Sequence, residues 1–93
     1  MRTIDRASAF KRDYKREAKG QHRGTLDRDR GPVLVALVMD QPLDAQHRDH
    51  DLSGDWAGYR ECHIKPDLLL IHRKSDADTL RLARLGSHSE LFG

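Results

Sequence analysis

Three histidines, His47, His50 and His63, fall within 17 positions of one another, and His88 stands near the end of the chain. The same central stretch holds Asp67 and the chain's only Trp, Trp56, and only Cys, Cys62. Imidazole titrates near pH 6.5, so a histidine can give or take a proton close to neutrality. A set of histidines with a nearby carboxylate is therefore equipped for acid–base chemistry. Arg60 lies within the stretch and Arg84 beyond it, on strands that should neighbour the site, and a guanidinium is a permanently charged, two-pronged clamp for phosphate. A metal reading competes with this one. His47, His50, His63, His88 and Asp67 offer imidazole and oxygen ligands that suit zinc, although H-x-x-H on a loop is a weak pattern. The single cysteine excludes an internal disulfide and a Cys-based zinc site. His22, His47 and His72 also read as ordinary positions, His72 as a partly buried, hydrogen-bonded residue of a strand. Gly54 and Gly58 read as turn residues, because no phosphate-loop pattern surrounds them.

These residues must be positioned by a small body. Ninety-three residues make one domain, residues 1–93, able to bury roughly 60–65% of its unfolded surface. Charged residues make up 34% of the chain and hydrophobic ones 37%. The net charge of +2 is unevenly spread. Residues 1–31 carry ten Lys/Arg against five acids, residues 32–56 one against five, and residues 57–93 six against five. A basic first third is the footprint of a phosphate-bearing partner or, equally, a solvated helix face laced with ion pairs. No apolar run approaches the ~18 residues that span a bilayer, and MRTIDRAS lacks the apolar centre of a signal peptide. The expectation is a soluble, cytoplasmic protein with no membrane association.

Taken in order, Arg2–Arg6 is a possible edge strand. Ser8 is placed to cap a basic amphipathic helix over about residues 8–19, with Phe10, Tyr14, Ala7 and Ala18 as its core stripe and Gly20 as its stop. Residues 21–31 are polar and turn-rich. PVLVALVMD then fits either a buried strand or a helix beginning at Pro32, which suits a first turn; periodicity leaves both open. From Ala57 the pattern is sheet. Alternation puts Tyr59, Glu61 and His63 on one side and Arg60, Cys62 and Ile64 on the other, so Cys62 faces away from His63. Lys65-Pro66-Asp67 is a turn. Leu68–Lys74 is a central strand with both faces covered. Asp76-Ala77-Asp78 turns into a third strand, Thr79–Leu85, with Leu80, Leu82 and Arg84 on one face. Ser87 caps a final helical turn. Short turns between strands make an antiparallel meander, and helices followed by a meander make an α+β sandwich.

Three blocks carry a resemblance: DHDLSGDWAGYR at Asp49–Arg60, CHIKPDLLLI at Cys62–Ile71, and RLGSHSELFG at Arg84–Gly93. Together they resemble the C-terminal half of the RelE/ParE superfamily of bacterial toxins, and within it the YafQ-type messenger-RNA interferases. The likeness is continuous over about half of the chain and specific in combination. The first half is similar only in its pattern of strand, basic helix and second helix. The resemblance implies an α+β, RelE-like fold: two N-terminal helices packed on a small, mainly antiparallel twisted sheet with a short C-terminal helical turn. It makes PVLVALVMD the body of the second helix.

The resemblance also implies an activity. Such toxins are ribosome-dependent endoribonucleases that cut mRNA in the decoding site. A cognate antitoxin silences them, commonly as two toxins with two antitoxins, and operator DNA is bound only through the antitoxin. No cofactor is implied. By position, the functional residues of the family fall on His50, His63, Asp67, His88 and Phe92. Metal-free RNA cleavage needs a base for the 2′-hydroxyl, an acid for the departing 5′-oxygen and a cation for the phosphate. His88 is assigned as the acid, His50 or Asp67 as the base, and His63 as orienter or part of the base. Phe92 stacks on an mRNA base. Arg84 stabilises the phosphate with Arg60 nearby, and Glu61 bonds a sugar or a ring nitrogen. Two further readings remain: a non-enzymatic superfamily member acting by protein binding or repression, and the His/Asp metal-binding protein. A gyrase-targeting ParE-type toxin is disfavoured by the histidines.

Overall fold

Leu68, Leu69, Leu70 and Ile71 are each at most 1% exposed, and they mark the centre of the molecule. A computed structural model describes residues 1–20 and 22–93. Its single sheet has β1 (Thr3–Arg6), β2 (His50–Asp51), β3 (Arg60–Lys65), β4 (Leu68–Asp76) and β5 (Thr79–Gly86), in the order β1-β5-β4-β3-β2. The strand β1 runs parallel to β5 and every other pair is antiparallel. The helices are α1 (Ser8–Lys19), α2 (Leu26–Val38) and the short α3 (His88–Phe92). The meander is thus as read from the sequence, with β1 as the edge strand expected at Arg2–Arg6 and β2 as a further, unexpected edge strand.

The alternating side chains of the central strands build two cores. Cys62, Ile64, Leu68, Leu70, Leu80, Leu82 and Leu85 meet Phe10 of α1 and Leu26, Val33 and Leu37 of α2. Leu69, Ile71 and Ala83 form a smaller cluster with Leu91 of α3, flanked by Leu52, Trp56 and Tyr59. The expected face of Leu80, Leu82 and Arg84 does not form. Ile71 is in register with Arg84 but His72 with Leu82, so Ala83 is an extra, bulged residue. A bulge shifts the alternation by one, and Leu85 rather than Arg84 joins Leu80 and Leu82 in the core.

The PVLVALV part of the run is helical with Met39 as its C-cap, and α2 starts at Leu26 rather than at Pro32. The expected polar loop therefore shrinks to a few residues, and Gln21 lies outside the described residues. Pro32 falls inside the helix, at a cost of about 3 kcal/mol relative to alanine. Burial of Leu26 at 2% exposure offsets about 1.5–3 kcal/mol of that. Tyr14 of α1 adds to it by donating its hydroxyl to Asp27 Oδ1 at 2.5 Å while its ring carries the Arg30 guanidinium at 4.8 Å. Packing thus overrides the proline signal.

At α1 the capping residue is Ala7, not Ser8, and no side chain caps the helix. The Ala7 N–H is used on the Leu82 carbonyl at 3.0 Å, which turns the chain one residue early. Gly20 does end α1, with an extended φ of −95°. β1 pairs only as far as Leu82, so the last residues of β5 have an open edge. Side chains of α1 fill it: Leu85 N–H donates to Asp13 Oδ2 at 3.0 Å, and Arg16 Nη2 donates to the Leu85 carbonyl at 2.9 Å.

Candidate active site

Glu61 is buried at 5% exposure on β3, on the sheet face opposite the two long helices. His50 stands in register with it on β2, and His63 follows two residues along the same strand. His63 Nε2 lies 3.4 Å and His50 Nε2 3.8 Å from the same oxygen, Glu61 Oε1. The other nitrogens of both rings face main-chain oxygens, His50 Nδ1 at 2.6 Å from the Arg48 carbonyl and His63 Nδ1 at 3.3 Å from that of Pro66. A carbonyl only accepts, so each Nδ1 is the donor. In the neutral rings both Nε2 lone pairs therefore converge on one carboxylate oxygen, and a proton taken up by either lands beside a negative charge. His47 buttresses this corner, its Nδ1 donating to the His63 carbonyl at 2.6 Å.

The short β2 that carries His50 is tied down by Arg60. Its Nε meets Asp49 Oδ1 at 3.1 Å and its Nη1 meets Asp51 Oδ1 at 2.5 Å. By alternation Arg60 lies on the opposite side of β3 from Glu61 and His63, in register with His72. Gly54 and Gly58, with φ of +66° and +92°, make the left-handed turns between β2 and β3 that most side chains resist.

His88 and Phe92 sit one helical turn apart on α3, ring centroids 5.1 Å apart, and both are exposed. Ser87 caps α3 as anticipated, in a reciprocal capping box with Glu90. Leu91 anchors the helix in the small apolar cluster of the open face. His63, Leu69 and Gly86 form one row across β3, β4 and β5, and α3 begins just beyond Gly86. The histidine corner and α3 thus lie on the same face of the sheet.

The remaining site residues stand apart. Asp67 lies in the β3–β4 turn with its Oδ1 3.6 Å from His22 Nε2, and His22 is buried rather than at the surface. Arg84 is gripped by Asp13, Nε to Oδ2 at 2.6 Å and Nη2 to Oδ1 at 3.3 Å. Asp13 and Arg16 were invisible to sequence reasoning, since nothing in a basic helix marks which of its charges will close a distant strand edge. His72 is 1% exposed on β4, and neither of its ring nitrogens has a hydrogen-bond partner among the described residues; its strand position and burial were expected, but the expected hydrogen bond is not there. Asp49 Oδ1 approaches its Nε2 to 3.7 Å, yet burial holds its pKa down at about 4. Burial likewise pushes the Cys62 thiol up to about 12, which removes it as a nucleophile. Among the described residues no group of three or more His, Cys, Asp or Glu is arranged to hold a metal ion. No helix among them is long and apolar enough to cross a membrane.

Known proteins share this fold. The family model of the YafQ bacterial toxin of type II toxin-antitoxin systems matches residues 2–93. The mRNA interferase toxin YafQ of Escherichia coli K12 is 35% identical over 92 residues, covering 97% of this chain and 99% of its own. A copper-bound mutant toxin from Helicobacter pylori superposes with a TM-score of 0.86 at 39% identity, covering 99% of this chain and 100% of the other. YafQ in the E. coli DinJ–YafQ complex gives 0.83 at 34% identity with full coverage of both chains. With the match running over nearly its whole length, this chain belongs to the YafQ family, the bacterial toxins of type II toxin-antitoxin systems.

Proposed function

We propose that this toxin is an mRNA interferase: an endoribonuclease that cuts translated mRNA in the ribosomal decoding site by metal-independent histidine acid–base catalysis. The observation that carries the reading is the convergence of His50 Nε2 and His63 Nε2 on Glu61 Oε1. RNA brings its own nucleophile, the 2′-hydroxyl, so no metal-activated water is required. His50 is the base. Its Nδ1 is committed to the Arg48 carbonyl, which leaves the Nε2 lone pair to take the 2′-proton. Asp67, the alternative base, directs its carboxylate towards His22. The 2′-oxygen attacks phosphorus, the bond to the 5′-oxygen breaks, and His88 protonates that leaving oxygen. The products are a 2′,3′-cyclic phosphate and a 5′-hydroxyl.

His63 and Glu61 orient the base and receive its charge. Phe92, exposed beside His88, stacks on an mRNA base. Arg84 stabilises the phosphate by exchanging part of its contact with Asp13, and Arg60 serves chiefly by fixing β2. The E. coli relative solved with DinJ supports a cognate antitoxin as partner. We extend this to paired toxins and antitoxins, with operator DNA reached through the antitoxin and the cytoplasm as the place of action.

The test is inducible expression in bacteria of wild type and His88→Ala, with mRNA ends mapped by primer extension and bound metal measured on the purified protein. Growth arrest with cuts at discrete in-frame codons, lost in His88→Ala, is the expected result. Arrest unchanged by the substitution overturns the acid assignment. Cleavage that appears only after stoichiometric copper or zinc loading overturns the metal-independent reading.

A further inference from the structure

The two halves of the proposed acid–base set are held in different ways. His50 and His63 share Glu61 within the sheet. His88 and Phe92 ride on a five-residue helix whose one buried residue is Leu91. A helix that short has almost no stability of its own, so its orientation must be imposed from outside. The capping box fixes its first turn, with Glu90 Oε1 accepting from Ser87 N–H at 2.8 Å. The other oxygen of Glu90, Oε2, lies 3.1 Å from Arg16 Nε.

Arg16 belongs to α1 and takes no part in the acid–base set. Its guanidinium also meets Asp13 at 3.0 Å, Glu17 at 2.9 Å and the Leu85 carbonyl at 2.9 Å. Both of those carboxylates are buried. The group is therefore fixed from below before it touches α3. The approach is tight at the take-off point. A methyl on Gly86 would lie 2.7 Å from Arg16 Nη2 and 3.1 Å from Glu90 Oε1. Gly86 is in the row that runs through Leu69 to His63. The Arg16–Glu90 pair thus sits on the junction that sets how far His88 stands from His63.

We infer that Arg16, acting through Glu90, is a positioning residue that aims His88 and Phe92 at the histidine corner. The functional half of this inference rests on the interferase reading above. An exposed ion pair usually contributes little to stability, so its effect is expected in catalysis rather than in folding.

The test uses Glu90→Gln in the full-length toxin. Glutamine preserves the capping box, and Arg16 keeps its buried partners Asp13 and Glu17, so the fold survives. In a reconstituted translation assay, kcat for mRNA cleavage is expected to fall by about 10- to 100-fold, as for a catalytic group displaced by about 1 Å, with KM changing less. The effect should vanish in a His88→Ala background, because residues acting as one unit are not additive. NMR of the free toxin should show the ring signals of His88 and Phe92 shifted in Glu90→Gln while those of His50 stay in place. Wild-type kcat with unmoved His88 signals overturns the inference, and so does an equal loss of kcat with and without His88. If the wild type cuts no mRNA, the interferase reading falls, and the NMR signals alone then decide whether Arg16 and Glu90 position His88.

Discussion

The two faces of the sheet are made from neighbouring residues of the same strands, yet they are built to opposite specifications. On β3, Cys62 and Ile64 enter the helix-covered core, while Glu61 and His63, one step out of phase, form the histidine corner. On β4, Leu68 and Leu70 face the helices and Leu69 and Ile71 face the small open cluster. The covered face is a broad aliphatic layer sealed by α1 and α2. The open face has only enough apolar area to seat Leu91 and the Trp56–Tyr59 edge-to-face pair, whose ring centroids are 5.3 Å apart. Stability is thus concentrated on one side and the proposed chemistry on the other, and substitutions should separate the two.

The largest separation is expected at the histidine corner. His50→Gln should lower mRNA cleavage by about 10²–10⁴-fold, the usual yield of a positioned general base. Its side chain is half exposed, so the urea unfolding midpoint should move little. A matching loss of stability would show that the two faces are not separate. Leu70→Ala should do the reverse, destabilising the fold by about 2–5 kcal/mol in denaturant titrations while the surviving folded fraction keeps its cleavage rate per molecule.

His72 sharpens the comparison through pH. Its folded pKa of about 4 lies below the ordinary 6.5, so between those values the unfolded chain binds more protons than the folded one. Stability from this residue is full above pH 6.5 and drains away as pH falls towards 4, by about 3 kcal/mol in all. His72→Gln should flatten that limb of the stability profile, measured by unfolding at pH 7, 5.5 and 4. The smallest effect is expected from Phe92→Leu. It should raise KM with little change in unfolding midpoint, because base stacking contributes about 1–3 kcal/mol and the ring is 37% exposed.

Much of this division was legible in the sequence. Period-two alternation assigned Glu61 and His63 to one side of β3 and Cys62 to the other, and the LLLI run announced a strand covered on both faces. Ser87 announced its cap. What failed to show depends on partners distant in the chain. Pro32 argued for a helix start, and only the packing of Leu26 and the contacts to Tyr14 explain why α2 begins earlier. The bulge at Ala83 reverses the expected side of Arg84. No local signal tells Asp13 that it will meet Arg84, 71 residues away. Histidine spacing marked the candidate site, but the common carboxylate oxygen is a fact of three-dimensional register.

The parallel pairing of β1 with β5, Thr3 opposite Thr79 through Arg6 opposite Leu82, bears on how the protein is made. Residues 3–6 leave the ribosome early and wait for residues 79–82 before their strand has anything to pair with. Contacts so far apart in the chain close slowly, and a product stopped short of β5 has no place to dock its first strand. The segment carrying His88 is synthesised later still. The order of translation therefore delays assembly of the proposed acid–base set until β5 and the segment that follows it have been made.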